Sequence, residues 1–189
     1  MYEVQDDTYC YPGTTVLRNK LNLRDPATLR DFEAEITDQR ASEPLPDGAF
    51  DVAHYKAVHH HLFQDVYEWA GLTRSVRISK AGNPFCFPEF IDHQMEALFA
   101  ELAAGDYLRR LDKNTFAKKA AHFLAELNAV HPFREGNGRT QLSFLALLAE
   151  EAGHPLDMDR LDPQGILDAT IESFGGDEAG LKTQIASLL

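Results

Sequence analysis

The segment NAVHPFREGNGRTQLSF, residues 128–144, connects two stretches whose apolar residues recur with helical spacing. Between these stretches stand His131 and, four residues later, Glu135, followed by a Gly-Asn-Gly-Arg sequence. Because the helical pattern stops before the histidine and resumes after the glycines, we predict a loop that leads into the N-terminus of a helix starting near Asn137.

The glycines of this segment point to an anion site. Gly136 and Gly138 allow the backbone to turn with its N–H groups exposed, and the following helix adds the positive end of its dipole. Arg139 falls in the first helical turn, where a cation is unfavourable to the helix itself, so a bound anion is expected to compensate it. A phosphate group is the most natural ligand for such a loop.

The same segment carries an acid and a base. Glu135 beside a phosphate would be repelled unless a divalent cation lay between them, and Mg²⁺ accepts one or two carboxylates together with phosphate oxygens. His131 is the group in the loop that can take up a proton near neutral pH. Phe133 is expected to pin the loop into the core. A histidine or a short Gly-x-Gly alone is usually structural, but their combination within nine positions favours a functional site.

Composition excludes several classes of protein. The 189 residues are enough for one domain with a sizeable core. The net charge of −12 argues against direct nucleic-acid binding and against attraction to anionic membranes, because both need clustered Lys and Arg. No apolar run approaches the ~20 residues of a membrane span. Two cysteines are too few for a disulfide scaffold and the N-terminus does not resemble a signal peptide, so we expect a reducing, cytoplasmic location.

The rest of the sequence predicts a mostly helical chain. Asp25 is expected to cap a helix whose first residue is Pro26. Apolar residues at spacings of three and four predict a second helix from about residue 51 to Trp69, with Gly71 ending it. Further helical patterns cover residues 88–104, 114–128, 137–153, 164–174 and 177–188.

One segment breaks the helical period. Val76 and Ile78 alternate with polar residues, and the turn-forming sequence Ala-Gly-Asn follows at 81–83. This pattern predicts a short β-hairpin.

The nine residues HPFREGNGR resemble the signature of the Fic family, written roughly as His-x-Phe-x-Asp/Glu-Gly-Asn-Gly-Arg-x-x-Arg. Three more segments resemble the same family: YCYPGTTVLRNKL, HHHLFQDVYEWAGLTRSVRISKAGNPFCFPEFI with the hairpin called the flap, and ATIESFGGD. The resemblance covers nearly the whole chain. It implies a single Fic domain over residues 1–189, with its core at about 50–175, and an all-α Fic fold, a helical bundle with a short β-hairpin flap.

The resemblance implies a protein adenylyltransferase, which transfers AMP from ATP to a hydroxyl side chain of a target protein. By position, His131 would be the catalytic base and Glu135 would hold Mg²⁺ against the phosphates. The residues expected to bind the nucleotide are Phe133, Arg134, Gly136, Asn137, Gly138 and Arg139. The flap residues expected to align the target chain as an added β-strand are Ser79, Lys80, Ala81, Gly82, Asn83, Pro84 and Phe85.

Short Fic proteins of this pattern resemble the toxins of bacterial toxin–antitoxin pairs. Such proteins are commonly inhibited by a helix with the sequence Ser/Thr-x-x-x-Glu-Gly/Asn. In this chain Glu precedes Gly or Asn only at Glu135, within the signature itself, so we expect a small separate antitoxin to supply the helix. The resemblance to toxins also makes a bacterial type II topoisomerase a candidate target.

One position departs from the family pattern. The second arginine of the signature would fall at Leu142, on the same helix face as Arg139. Two interpretations stay open: Leu142 packs in the core with Leu145 and Leu148, or it marks a change in nucleotide binding. The alternative functions are therefore a catalytically weak nucleotide-binding relative, a Mg²⁺-dependent hydrolase, or a Fic enzyme that uses another nucleotide or removes AMP.

The run His59, His60 and His61 resembles a metal cluster. Consecutive residues of a helix point about 100° apart, so these side chains are not expected to converge on one ion.

Overall fold

A computed structural model describes residues 3–4, 7–80 and 82–189 of the chain. Within these residues there are seven α-helices: α1 Pro26–Ala41, α2 Val52–Phe63, α3 Pro88–Ala104, α4 Lys113–Val130, α5 Asn137–Glu151, α6 Pro163–Phe174 and α7 Ala179–Leu188. Three short strands form one antiparallel sheet in the order β1–β2–β3: β1 Glu3–Val4, β2 Ile78–Lys80 and β3 Asn83–Pro84. The predicted all-α fold with a β-hairpin is confirmed, and β1 is an addition that the sequence did not predict.

The boundaries of α1 and α2 show where sequence patterns are informative. The carboxylate of Asp25 accepts a hydrogen bond from the N–H of Thr28 (2.8 Å), which confirms the predicted cap. The prediction that α2 continues to Trp69 is wrong, because the helix ends at Phe63. The carbonyl of Phe63 accepts from both Val66 and Tyr67 (3.0 Å each), which tightens the chain into turns. Those turn residues are still buried, so the apolar spacing outlasts the helix.

The chain divides into two compact units, of which the first contains residues up to 92 and residues 131–140. Its core is an aromatic cluster in which the ring of His59 stacks on Phe133, with centroids 3.7 Å apart, and on Phe63 at 4.7 Å. Tyr55 stacks on the other side of Phe133 at 5.5 Å. This cluster anchors the segment that follows α4 to helix α2.

The second unit contains residues 93–130 and 141–189. Helix α7 packs against α4 and α6, and its Leu181 and Ile185 are fully buried. Phe99 contacts Phe123 and Phe144 edge to face, with centroids 5.5 and 5.6 Å apart. Within the described residues, no helix combines the length and apolar character needed to cross a bilayer.

Candidate active site

Residues 131–139, here called the signature segment, follow α4 and include the first turn of α5. Two of its residues lie in the left-handed region, His131 with φ 49° and Gly136 with φ 81°. A Cβ atom on Gly136 would lie 2.3 Å from Cζ of the buried Phe63, so only glycine fits there. A Cβ on Gly138 would meet no atom within 4 Å, so a ligand can approach the backbone at this point.

Asn137 holds the segment in its turn. Its amide nitrogen donates to the carbonyl of Phe133 (2.8 Å), and its Oδ1 accepts from the N–H of the same residue (2.9 Å). The side chain of Asn137 is therefore occupied within the protein. Its contribution to anion binding would come from the first N–H groups of α5, which have no carbonyl partner within their own helix.

His59 supports the segment from α2. The N–H of Gly71 donates to Nδ1 of His59 (2.8 Å), so Nδ1 is an acceptor and the Nε2–H donates to the carbonyl of Glu135 (3.0 Å). Burial lowers the pKa of His59 to about 3, which keeps the ring neutral. Sequence reasoning treated this histidine only as part of a weak metal cluster and missed its structural role.

This buried histidine predicts a pH dependence of stability. Its pKa is lower in the folded protein than in the unfolded chain, where it is ~6.5, so between these values only the unfolded chain binds the proton. The stabilising effect of His59 is complete above pH ~6.5 and declines by ~1.4 kcal/mol per pH unit below it. Urea unfolding of the wild type and of His59→Gln should therefore show a stability difference about 2 kcal/mol smaller at pH 5 than at pH 7. An equal difference at both pH values would contradict this role.

His131 lies between the signature segment and the hairpin. Its ring stacks on Phe85, with centroids 3.9 Å apart and an interplanar angle of 22°. Its carbonyl accepts a hydrogen bond from Nε of Arg74 (2.8 Å). Only 6% of the residue is exposed, so the imidazole is held in a defined position rather than free in solvent.

The carboxylate of Glu135 lies at the start of α5. Its Oε1 accepts from the N–H of Gly136 (2.9 Å) and lies 3.9 Å from Nη2 of Arg139. Burial raises the pKa of Glu135, and the nearby Glu33 raises it further, while the Gly136 hydrogen bond and Arg139 oppose the shift. A bound divalent cation would favour the ionised form, so this carboxylate suits a cation that bridges it to phosphate oxygens.

Arg139 is held by helix α1. Its guanidinium forms an ion pair with Glu33, donates to Oγ1 of Thr37 (3.1 Å), and lies 4.7 Å from the ring centre of Phe63. Glu33 also accepts a hydrogen bond from the hydroxyl of Tyr67, whose pKa is raised by burial and by that carboxylate. Sequence reasoning missed these partners; the only signal was the four-residue spacing of Glu33 and Thr37, which places them on one face of α1.

Phe133 and Arg134 make contacts within the protein. Phe133 is fully buried, as its expected pinning role requires. Arg134 donates from Nε and Nη2 to the carboxylate of Asp7 (3.0 and 2.6 Å). Burial would raise the pKa of Asp7, but the hydrogen bonds from Arg134 and Cys10 lower it overall. The predicted contacts of Phe133 and Arg134 with a nucleotide stay predictions.

The hairpin occupies the position expected for the flap. Ser79 pairs with Pro84 and Lys80 with Asn83, while Ser79 also pairs with Glu3 of β1 on the other side of β2. The flap residues Ser79, Lys80, Gly82, Asn83, Pro84 and Phe85 are all described, whereas Ala81 lies outside the described residues. Both sides of β2 are therefore paired within this chain.

Leu142 differs from the other leucines of α5. It is half-buried, whereas Leu145 and Leu148 are completely buried. The side chain is thus less enclosed than a core leucine, and both interpretations of this position stay open.

The consecutive histidines of α2 have separate environments. His59 is bound as described above, His61 Nε2 lies 2.8 Å from the carbonyl of Arg40, and His60 is exposed. Among the residues described, no group of three or more His, Cys, Asp or Glu side chains is arranged to hold a metal ion.

Together these features define a class of protein: a helical domain with an anion site at a helix N-terminus and, in the same segment, a histidine and a carboxylate. The chain belongs to the Fic/DOC family, whose family model matches residues 49–149.

Three similar proteins extend this assignment. The probable protein adenylyltransferase y4lH of Sinorhizobium fredii is 54% identical over 189 residues, which is 100% of this chain and 98% of the relative. The protein adenylyltransferase VbhT of Bartonella schoenbuchensis is 42% identical over 178 residues, which is 93% of this chain and 37% of VbhT. The crystal structure of BepC from Bartonella tribocorum, with AMPPNP bound, has a TM-score of 0.85 and 29% identity, with 95% of each chain covered.

Proposed function

We propose that this protein is a protein adenylyltransferase that transfers AMP from ATP to a hydroxyl side chain of a target protein. The observation that carries the proposal is the signature segment, which places His131, Glu135 and the N-terminus of α5 in one short loop. Two of the relatives described above are named as protein adenylyltransferases, and this supports the same reaction here.

ATP is the proposed nucleotide, and BepC with its bound AMPPNP supports this assignment. The phosphates would lie against the backbone N–H groups of Asn137, Gly138 and Arg139, where the dipole of α5 favours negative charge. The open space beside Gly138 allows a phosphate to approach the backbone. Because the side chains of Asn137 and Arg139 are already engaged, the backbone would provide the main contacts.

Mg²⁺ is the proposed cofactor, held by Glu135 and the phosphates. The residues fit the ion, because a partly buried carboxylate with a raised pKa stands beside the proposed phosphate site. When bound, Mg²⁺ would supply positive charge that neutralises the phosphates. His131 would take the proton of the target hydroxyl while its oxygen bonds to the α-phosphorus and the bond to the departing pyrophosphate breaks.

Replacing Glu135 by glutamine tests the metal role. A neutral amide is a poorer ligand for a hard cation, so the Mg²⁺ concentration for half-maximal transfer should rise about tenfold or more. The fold should persist, since Gln can still accept the Gly136 hydrogen bond. Glu68→Gln, which changes an exposed carboxylate of the same unit, is the matched control. Equal transfer by Glu135→Gln and wild type, or undiminished transfer in chelator, would exclude the assignment.

The target is proposed to bind the flap as an added strand. Because β1 already pairs with β2, an incoming strand must either replace Glu3–Val4 or pair with the outer side of β3. Pro84 in β3 has no N–H to donate, which favours replacement of β1. The hydroxyl-bearing target itself stays a proposal, with a bacterial type II topoisomerase as the first candidate to test.

A small antitoxin is the proposed inhibitor. An inhibitory glutamate brought to Arg139 would meet Glu33 and Glu135 around a single guanidinium. Like charges in a partly buried site are costly, so the antitoxin is expected to rely mainly on apolar helix packing. Co-expression with the genomic neighbour should give a co-purifying, inactive pair, and an active enzyme that binds no neighbour would overturn the idea. Free thiols at Cys10 and Cys86 fit the proposed reducing cytoplasm.

Incubation with α-labelled ATP and a bacterial lysate tests the function directly. Label on a discrete protein band, lost in a His131→Ala variant, would support AMP transfer. Leu142, which replaces an arginine of the family signature, favours a second candidate, a nucleotide-binding relative with weak catalysis. Nucleotide binding without label transfer would select that candidate, and release of label from a modified protein would indicate removal of AMP.

A further inference from the structure

Arg74 is a buried charged residue for which the proposed reaction gives no role. Only 2% of the residue is exposed. Its Nε donates to the carbonyl of His131 (2.8 Å), its Nη1 to that of Val76 (2.8 Å) and its Nη2 to that of Cys86 (2.5 Å). Its own backbone N–H donates to the carbonyl of Pro132 (2.9 Å).

The three carbonyls bound by the guanidinium belong to two separate parts of the site. Val76 precedes β2 and Cys86 follows β3, so together they form the base of the hairpin. His131 begins the signature segment. A guanidinium is planar, stays charged and presents its donors in a fixed fork, so it sets the distances between these backbones more rigidly than a lysine could.

A second contact joins the same two parts. The N–H of Phe85 donates to the carbonyl of Ile78 (3.2 Å), which fixes Phe85 to the hairpin, and its ring stacks on the imidazole of His131 at 3.9 Å. Both the backbone and the ring of His131 are therefore positioned by the hairpin. Because His131 has φ 49°, a conformation that L-residues seldom adopt, its placement depends on such external contacts.

We propose that Arg74 is a positioning residue that couples the flap to the base, so that a target strand bound to the flap presents its hydroxyl at His131. This inference rests on the proposed function. Arg74 acts through backbone carbonyls and need not touch either substrate. The nucleotide site is held separately by Asn137 and His59, so it should be largely independent of Arg74.

The test compares Arg74→Lys and Arg74→Met with the wild type, using as target the purified protein that the wild type labels in lysate. A small misplacement of reacting groups can lower a rate by about a hundredfold. In Arg74→Met, kcat should fall by about 10- to 100-fold and the KM for the target should rise, while the KM for ATP should stay within about twofold. Arg74→Lys keeps the charge and some of the hydrogen bonds, so it should recover part of kcat.

The matched control is Arg77→Met. Arg77 lies on the same approach to β2, but its guanidinium is exposed, pairs with Glu89 and lies over the ring of Phe87. Its removal should leave kcat and both KM values within about twofold of the wild type. An equal loss in both variants would contradict a specific role for Arg74.

A second measurement does not depend on AMP transfer. The imidazole protons of His131 should show a ring-current shift in the NMR spectrum because the ring stacks on Phe85. Arg74→Met should reduce this shift towards its value in Phe85→Ala, whereas Arg77→Met should not. If the wild type transfers no AMP, the proposed function fails, and the NMR comparison still decides whether Arg74 positions His131.

Three results would overturn the inference. The first is a folded Arg74→Met variant with unchanged kcat, target KM and His131 shift. The second is a loss of transfer that merely follows the folded fraction, with both KM values unchanged. The third is failure of both the Met and the Lys variants to fold, since Arg74 would then be a requirement of the fold rather than a positioning residue.

Discussion

Replacing His131 by alanine should lower the rate of AMP transfer by about a hundredfold or more, which is the scale of general base catalysis. The fold should persist because the hydrogen bond from Arg74 is made to the backbone carbonyl, which alanine keeps. The lost side-chain contact is the stack on Phe85. Transfer of label from α-labelled ATP, measured with an unfolding curve for each variant, checks both parts of the expectation.

Two further variants make this test specific. Asparagine tolerates the left-handed conformation found at His131, so His131→Asn should fold at least as well as the alanine variant and be equally inactive. His60→Ala removes an exposed histidine from α2 and should transfer AMP normally. If His131→Ala retains more than about a third of the wild-type rate, proton transfer to His131 is not the step that limits the reaction.

The predictable parts of this protein are those governed by local chemistry. The cap at Asp25, the hairpin turn and the helix after the glycines follow from neighbouring residues alone. The end of α2 was mispredicted because Val66 and Tyr67 keep an apolar spacing while they lie in turns. Periodicity reports which residues are buried, and burial continues beyond the helix.

The supporting residues of the site could not be predicted for a related reason. Glu33 and Tyr67 reach Arg139 from distant points of the chain, and each looks like an ordinary helix or core residue in the sequence. Arg74 and His59 act through backbone carbonyls, which impose no particular residue type on their partners. Local motifs therefore identify the groups proposed for the chemistry, whereas the groups that hold them in place become visible only in three dimensions.

These contacts also change what each signature residue can contribute. The ion pair with Glu33 offsets the charge of Arg139, and Arg134 is paired with Asp7 in the same way. Positive charge available to an anion is thus concentrated in the N–H groups at the start of α5 and in any bound cation. A third arginine on α5 would add to a site where both existing ones already have carboxylate partners.

Replacing Leu142 by arginine should therefore tighten ATP binding by about tenfold or more and raise transfer, if the leucine marks a loss of function. A charge-assisted contact to phosphate is worth ~1.5–3 kcal/mol, less the cost of lost packing, which should be limited because Leu142 is only half-buried. An arginine there would stand three residues after Arg139, on the same face of α5.

Calorimetric ATP binding and label transfer would measure the effect of this substitution. Leu147→Arg adds the same charge to another half-buried position of α5 and controls for the general attraction of ATP to a less acidic protein. Leu142→Met preserves the side-chain volume and controls for packing. Unchanged ATP affinity in Leu142→Arg, together with a lower melting temperature, would show that Leu142 is a packing residue. The phosphates would then have to be bound by the backbone of α5 and by Mg²⁺, without a second arginine.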